Sequence, residues 1–463
     1  MFRIWAVARQ MIRESIRMKV ALIFILVLAV ILPVLSYTVT GDGATLKSRI
    51  QMFLSFSLSA VGFLLSMLTI FLSCGALNTE IREKHIFMVA SKPIPRWQFV
   101  VGKWLGIVLV DAFLLIGSGA IIWGFTRYLA HKPPANEDDA IAIEQEVLTS
   151  RRGVALKPPT AEIEAAVDAR IRQLQSEGRM PLAMDRDQEQ RRREEIRAQL
   201  KSEFLSVPPQ SFKVYLFRDL HIDRSPGQYV TVAYRAADGD MPQNEIWPLI
   251  FVAGDPTERT TVVQVSRGDP AGRRHRVPIP ASCISDDGIL RLEVHNFDPK
   301  AKLSFGEPEG GLEVLHHIGG FGWNLVRGLI LIALRLVFLS ALGILFSAWL
   351  SFPVACMAVF LVFFAGVGGG FLMEAIDWTT PGQTAEDPMW VLGPPLRALA
   401  KAFLWVVPDL SKYNPVPTIV DGRAVTLMWL IQGTVQLALA RGLLLGLLAC
   451  WIFTRRELDQ VIV

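Results

Sequence analysis

Apolar positions in this chain are gathered into long runs separated by short polar breaks, with one long polar interval near the middle. Six runs, over residues 20–37, 52–77, 100–128, 325–350, 354–373 and 425–453, come close to or exceed the roughly 20 residues that cross a bilayer as a helix. The pattern predicts an α-helical integral membrane protein with six transmembrane helices, three in 20–130 and three in 321–454. Ahead of them, residues 1–19 place Ile4, Val7, Ala8, Ile12 and Ile16 at helical spacing, with Arg3, Arg9, Arg13 and Arg17 largely off that stripe. This reads as an amphipathic helix on the membrane surface, its basic groups near lipid phosphates. The apolar stretch after Lys19 is long and no small-x-small cleavage site follows it, so it reads as a retained anchor.

The interval 131–320 contains no window able to cross a bilayer and reads as an inserted water-soluble α+β domain. In 131–208, Ile163, Val167, Ile171 and Leu174 form one helical stripe and Ile196, Leu200 and Phe204 another, which predicts a helical hairpin turning at EGRMPLAMD. From 209 to 310 the period shifts to two. FKVYLF, QYVTVAY, IWPLIFVAG, TTVVQVS, RHRVPIP, ILRLEVHN and AKLSF are short β-rich runs broken by Gly, Asp and Pro turns. Such a series predicts a β-sandwich or jelly-roll-like module. The run DRDQEQRRREE mixes its signs and has no interleaved aromatics, so it reads as a solvated helical face and no nucleic acid is expected.

Two smaller segments complete the pattern. Gly366, Gly368, Gly369 and Gly370 near the end of the fifth run permit close helix approach or a kink. Residues 374–424 join a partly apolar helix too short to span, around 396–407, to PDLSKYNP, and read as a re-entrant or interfacial segment.

The break between the second and third runs differs from the others, because it is charged and twice interrupted by proline. Over 78–98 a short helix with Glu80 and Lys84 in the favourable i,i+4 order is stopped by Pro93 and Pro95, each lacking an N–H. Pro95 then suits the opening of the next helix. Arg96, Trp97 and Lys103 suit the water interface at which that span begins.

Formal charge is nearly balanced at +4, and its distribution is more informative than its sum. Arg3, Arg9, Arg13, Arg17, Lys19, Arg82, Lys84, Lys92, Arg96, Lys103, Arg455 and Arg456 lie in the N-terminal helix, the elbow and the tail 455–463. With an even number of spans, the positive-inside rule puts both termini in the cytoplasm and 131–320 outside, as in a multi-pass protein of the inner membrane. Loops beyond about 60 residues translocate largely regardless of charge, so the arginines of the inserted domain do not oppose this; Lys47 and Arg49, on an outer turn, run against it.

Little in the sequence is built for catalysis. Of four cysteines only Cys283 lies in the polar interval, and Cys74, Cys356 and Cys450 read as packing thiols. There is no GxxxxGK[ST] phosphate loop, HExxH or GxSxG string, and His221, His275, His295, His316 and His317 lack metal-ligand spacing. The chain is therefore expected to be no enzyme and to hold no cofactor or metal of its own. Ionisable residues inside the apolar runs are better clues, since each costs about 2.5–3.5 kcal/mol at the bilayer centre. Asp111, Arg335 and Arg441 are the cases. Counted along the runs, Asp111 and Arg441 lie at similar depth and are expected to pair, with Arg335 the other candidate partner. Glu374 and Asp377 read as interfacial residues or as lining an exit.

The elbow also resembles something known. TEIREKHIFMVASKPIPRWQFVVGKWLG resembles the coupling-helix region of ABC type-2 transporter permeases. The matching residues are the acidic pair Glu80 and Glu83, a short apolar helix over 86–90, the turn Ser91, Lys92, Pro93 and Ile94 with Pro95 after it, Arg96, and Gly102 and Lys103 entering the third span. ARQMIRESIRMK is similar to the family's interface helix through Glu14, Arg17 and Lys19, and PDLSKYNP and the terminal RREL are similar to its last third. Within the family the permeases grouped with multi-copper enzyme maturation systems are the most similar in character. The resemblance covers 1–130 and 320–463; the inserted domain departs from it and resembles lipopolysaccharide-export permeases in architecture alone.

The resemblance implies a second permease chain, identical or related, and separate cytoplasmic ABC ATPase subunits that would hold ATP and Mg²⁺. Closure of the ATPases would push on the elbow and the spans would rock between states, with export as the direction. The rival reading is a membrane-anchored extracytoplasmic binding or scaffold protein without transport activity. An intramembrane enzyme has no catalytic constellation behind it. The 131–320 domain is a candidate for binding cargo, for docking a periplasmic partner or for capping the pathway, and its composition does not choose among these.

Overall fold

The computed structural model describes residues 2–17, 19–38, 45–82, 95–134, 136–156, 158–177, 186–220, 222, 228–237, 246–257, 260–305, 311–371, 398 and 407–455. In chain order the main helices are α1 (Phe2–Arg17), α2 (Lys19–Thr38), α3 (Leu46–Arg82), α4 (Arg96–Ala130), α5 (Thr160–Ser176), α6 (Arg186–Phe204), α7 (Phe321–Ser347), α8 (Phe352–Val367) and α9 (Leu427–Arg455), the last π-helical over Thr434–Leu443. The chain divides into two compact units, Met1–Ser150 with Gly319–Val463, and Arg151–Ile318.

Among the described residues of the first unit four helices are long and apolar enough to cross a membrane: Leu46–Asn78 within α3, then α4, α7 and α9. Helix α1 and Leu22–Leu35 of α2 meet at 65° and make a fifth if counted as one span. Helix α8 is apolar but has 16 residues, short of the length a span requires. Among the described residues four such helices, or five with the bent pair, are found, and the expected six are not confirmed. The first apolar run is bent away from α1, and the described part of the fifth stops at Phe371.

Helix α3 is the hub, with 78% of its span window buried against 22% for α9. Lipid offers no hydrophobic drive for helices to associate, so close backbone approach and polar contacts must supply it. Gly343 of α7 provides the approach, since a Cβ there would overlap the Ser73 hydroxyl. One turn on, Ser347 Oγ donates to Cys74 O at 2.8 Å and accepts from Leu77 N at 3.3 Å.

The first turn of α3 has no acidic residue of its own. Asp139 supplies one from a distant segment, its carboxylate accepting from Leu46 N at 2.8 Å and Lys47 N at 3.1 Å, which satisfies orphan donors and complements the helix dipole. Lys47 is ion-paired with Glu146. Gly422, at φ +62, passes so close to the Glu146 carbonyl that no side chain would fit. Residues 136–150 thus belong with the helical unit, and the polar domain starts later than the expected 131.

Of the expected interfacial segment 374–424, residues 407–424 are described and the remainder, with Glu374 and Asp377, lies outside the described residues apart from 398. PDLSKYNP turns on Asp409, whose Oδ1 accepts from Ser411 N at 3.0 Å and Ser411 Oγ at 2.6 Å. Leu410 N donates to Gly366 O at 2.8 Å, and buried Tyr413 donates to Gln436 Oε1 at 2.9 Å. Asn324 of α7 holds the far end, donating to Arg423 O at 2.7 Å and accepting from Val425 N at 2.8 Å.

The second unit is built on two antiparallel sheets. Its strands are β1 (Thr149–Ala155), β2 (Ser206–Val207), β3 (Ser211–Phe217), β4 (Tyr229–Ala237), β5 (Ile246–Ala253), β6 (Val263–Pro270), β7 (Arg274–Pro280), β8 (Leu290–Asn296), β9 (Leu303–Phe305) and β10 (Glu313–Gly320). One sheet runs β1-β10-β4-β9-β2 with β7 also on β4, and the other β3-β8-β5-β6. Tyr215, Tyr234, Trp247, Phe251 and Phe305 fill one shared core. The hairpin of α5 and α6 has its own small cluster of Ile163, Val167, Ile171, Leu174 and Ile196, edged by Arg197–Glu164 at 2.6 Å and Arg193–Asp168 at 2.8 Å. It interrupts the β-fold, because β1 precedes it in the chain and joins β10. Phe204, expected on the hairpin stripe, instead stands edge-on to Tyr215 at 6.1 Å.

Candidate functional site

Helix α4 starts where the prolines end. Pro95 is extended (φ −58, ψ 137) and stands as its N-cap, and Gln98 N donates back to Pro95 O at 2.9 Å. A proline here removes a donor that would have been orphaned anyway. Gly102 and Gly106 then lie one turn apart on the face that meets α1. A Cβ on Gly102 would come 2.6 Å from Val7 Cβ and 3.0 Å from Ile4 O; on Gly106 it would come 2.6 Å from Met11 Cβ and 2.9 Å from Ala8 O. The two backbones touch because neither glycine holds them apart. Val7, Ala8, Met11 and Ser15 are the buried residues of α1, while Ile16 is 57% exposed. The stripe read from the sequence is therefore turned by about one position, and the seam of α1 is spent on α4.

That seam delivers Glu14 to Lys103. The Lys103 ammonium is fully buried and donates to Glu14 Oε2 at 2.7 Å and to Glu80 Oε1 at 2.7 Å. The Phe99 ring lies 5.7 Å beneath it. Three helices are thus pinned at one charge: α1 through Glu14, the end of α3 through Glu80, and the start of α4 through Lys103. An ammonium has three donors and no acceptor, so two carboxylates suit it better than one. A buried cluster of this kind contributes less to net stability than it does to fixing one arrangement, but removing a single member leaves charge uncompensated at a cost of about 3–5 kcal/mol.

The elbow is held at its other flank by Arg96, whose guanidinium donates to Thr454 O at 3.1 Å. This satisfies a carbonyl at the end of α9, where a cation also meets the negative end of the helix dipole. Phe99 and Phe453 stack below it at 6.4 Å. Arg17 is exposed at the last turn of α1 and Lys19 opens α2. Glu83, Lys84, Ser91, Lys92, Pro93 and Ile94 lie outside the described residues.

Of the charges inside the apolar runs, Asp111 is buried and its Oδ2 lies 2.9 Å from Thr69 Oγ1 of α3. Among the described residues it forms no ion pair, with Arg441 or with Arg335. The expected pairing fails because the Asp111 face of α4 is turned to α3, while α9 meets α4 nearer its start, at Phe99 and Arg96. Arg335 makes no hydrogen bond or ion pair among the described residues, and its Nε is buried. Gly106 and Met11 form the α1–α4 seam beside this cluster, and the G-x-x-x-G spacing of 102–106 is the sequence signal for it. Among the described residues no group of three His, Cys, Asp or Glu is placed to hold a metal.

Compared with known proteins, the chain matches no family model and no curated sequence.

Proposed function

We propose that this chain is the membrane-spanning permease subunit of an ABC type-2 transporter, acting as an exporter. The single observation that supports this best is the Lys103 cluster. The elbow leaves α3 just after Glu80 and returns at Pro95, and its two roots are tied to each other and to an amphipathic helix through one buried ammonium. A force applied to such an elbow has no slack to take up before it reaches three helices. That is the arrangement a motor-driven permease needs, and an inert anchor has no use for it.

In this reading six spans cross the inner membrane with both termini in the cytoplasm and the Arg151–Ile318 unit outside. The elbow between Glu80 and Arg96 sits in a groove of a separate ATPase, which holds ATP and Mg²⁺, and a second permease chain completes the pathway. Asp111 and Arg335 line or brace that pathway. The test is to purify the chain in mild detergent with whatever ATPase accompanies it and to measure hydrolysis and transport together. Charge reversal at Glu83 or Arg96 should uncouple the two while leaving the spans folded. Isolation with no ATPase, or wild-type coupling in both reversals, would instead favour a membrane-anchored scaffold.

A further inference from the structure

Between α4 and α7, which run antiparallel, lies a laterally open groove of about 650 Å³. Its walls are Ala112, Ile116, Gly119 and Trp123 on one side and Val326 and Ile330 on the other, and every residue lining it is Ala, Gly, Leu, Ile, Val or Trp. Ile116 is 70% exposed and Ile330 44%, so the walls face out from the helical unit. From Ala112 to Trp123 the groove covers twelve residues of helix, about 16 Å at a rise of 1.5 Å from each to the next. That is about half of the ~30 Å hydrocarbon core, the depth of one leaflet.

The two ends differ. At the shallow end Trp123 approaches Gly322, and Trp323, 65% exposed, stands on the facing helix at the same level. Tryptophans gather at the headgroup level of a bilayer. One turn beyond, Arg127 lies 5.9 Å over the Trp123 ring, and Lys132 lies 5.4 Å over Tyr128. Neither Arg127 nor Lys132 has a carboxylate partner among the described residues. The deep end stops at Ala112 and Ala333 without a polar side chain in the lining. A groove one leaflet deep, apolar throughout and crowned by cations with no carboxylate partner among the described residues is complementary to a molecule with a long apolar tail and an anionic head.

We infer that the α4–α7 groove holds one acyl chain of an anionic phospholipid from the leaflet at the Trp123 end, with the lipid phosphate at Arg127. The inference stands whether or not the chain is a transporter, since it needs only that α4 and α7 lie in a bilayer. Gly119 is small because a Cβ there would overlap Leu329 of the facing helix, which closes the groove floor, and Ala120 leaves room for the acyl chain.

The test uses the full chain in nanodiscs of phosphatidylglycerol and phosphatidylethanolamine, followed by transfer to detergent and native mass spectrometry of the lipid retained. The wild type should keep one phosphatidylglycerol per chain. Ala120→Trp, which blocks the groove, should lower retention by about tenfold, and Arg127→Gln should reduce the preference for phosphatidylglycerol by about fivefold, the effect of one basic residue at a membrane surface. A phosphatidylglycerol with a photoreactive acyl chain should label the wild-type chain at the peptides containing Ile116 and Ile330, a reading that needs no variant. Undiminished retention in Ala120→Trp, or labelling only elsewhere, overturns the inference. Equal labelling by a phosphatidylcholine probe, which has the same phosphate but no net charge, overturns the assignment to an anionic lipid. Disulfide-linked dimers of Ile116→Cys would give the groove to a second copy of the chain.

Discussion

Lys103 and Glu80 stand 23 positions apart, on the two sides of the elbow, with Nζ and Oε1 2.7 Å from each other. Glu14 approaches the same ammonium from the first helix at 2.7 Å. The elbow is therefore a closed loop in a mechanical sense, with its neck fastened at a buried ammonium.

Lys103→Met should be among the most damaging single changes in the helical unit, because it strips two carboxylates of their ammonium in one step. A loss of about 3–5 kcal/mol is expected, read as thermal unfolding of the purified chain in detergent. The double variant Lys103→Met with Glu80→Gln should recover a large part of that loss. If the two changes simply add, the residues do not act as a pair.

Gly106→Leu should free α1 from α4 by driving a side chain into Met11 and the Ala8 carbonyl. The readout is limited trypsin digestion at Arg9 and Arg13, which should become markedly faster, while Gly124→Leu, where a Cβ meets nothing within 4 Å, should digest like the wild type.

Arg335→Met should leave the fold intact or strengthen it. An arginine without a partner near the middle of a helix costs about 2.5–3.5 kcal/mol relative to an apolar residue, and methionine removes that cost while keeping much of the volume. An unchanged or higher unfolding temperature together with lost transport would mark Arg335 as a functional charge. A large fall in stability would show that it is braced by contacts formed in another state.

In the β-unit, burial pushes the Asp269 carboxyl up, but hydrogen bonds from Tyr234 and Arg267 together with the Arg267 and His275 charges hold it below the usual carboxylate range. A carboxylate whose folded value is depressed stabilises the fold above its unfolded value, near pH 3.9, and loses that contribution as pH falls through the folded value. Thermal unfolding of the full chain between pH 6 and pH 2 should thus show a destabilisation of the β-unit that Asp269→Asn flattens. Equal slopes in the two proteins would remove Asp269 from the account.

Much of this architecture is legible in the pattern of the chain, and the parts that are not share a cause. FKVYLF, RHRVPIP and ILRLEVHN alternate clearly and become β3, β7 and β8. TSRRGVA does not alternate, and β2 is two residues long, so β1 and β2 gain their identity from the partners they meet and not from themselves. Glu14, Glu80 and Lys103 each stand out singly as charges beside apolar runs. Their meeting depends on α1 folding back along α4, which only the pair of glycines one turn apart foreshadows. The depth of Asp111 can be counted from the sequence, but the direction its side chain faces cannot, because rotation about the α4 axis is set by Thr69 and the rest of α3.

Helix α3 has 37 residues, about 55 Å of rod at 1.5 Å per residue, against a hydrocarbon core of ~30 Å. Glu80 is tied to Lys103 at one end, and Asp139 grips the first backbone amides at the other. A hydrogen-bonded helix is stiff along its axis, so in the proposed transporter a displacement at the Lys103 end would be carried towards the Asp139 end. Helix α3 is held from outside at both of its tips.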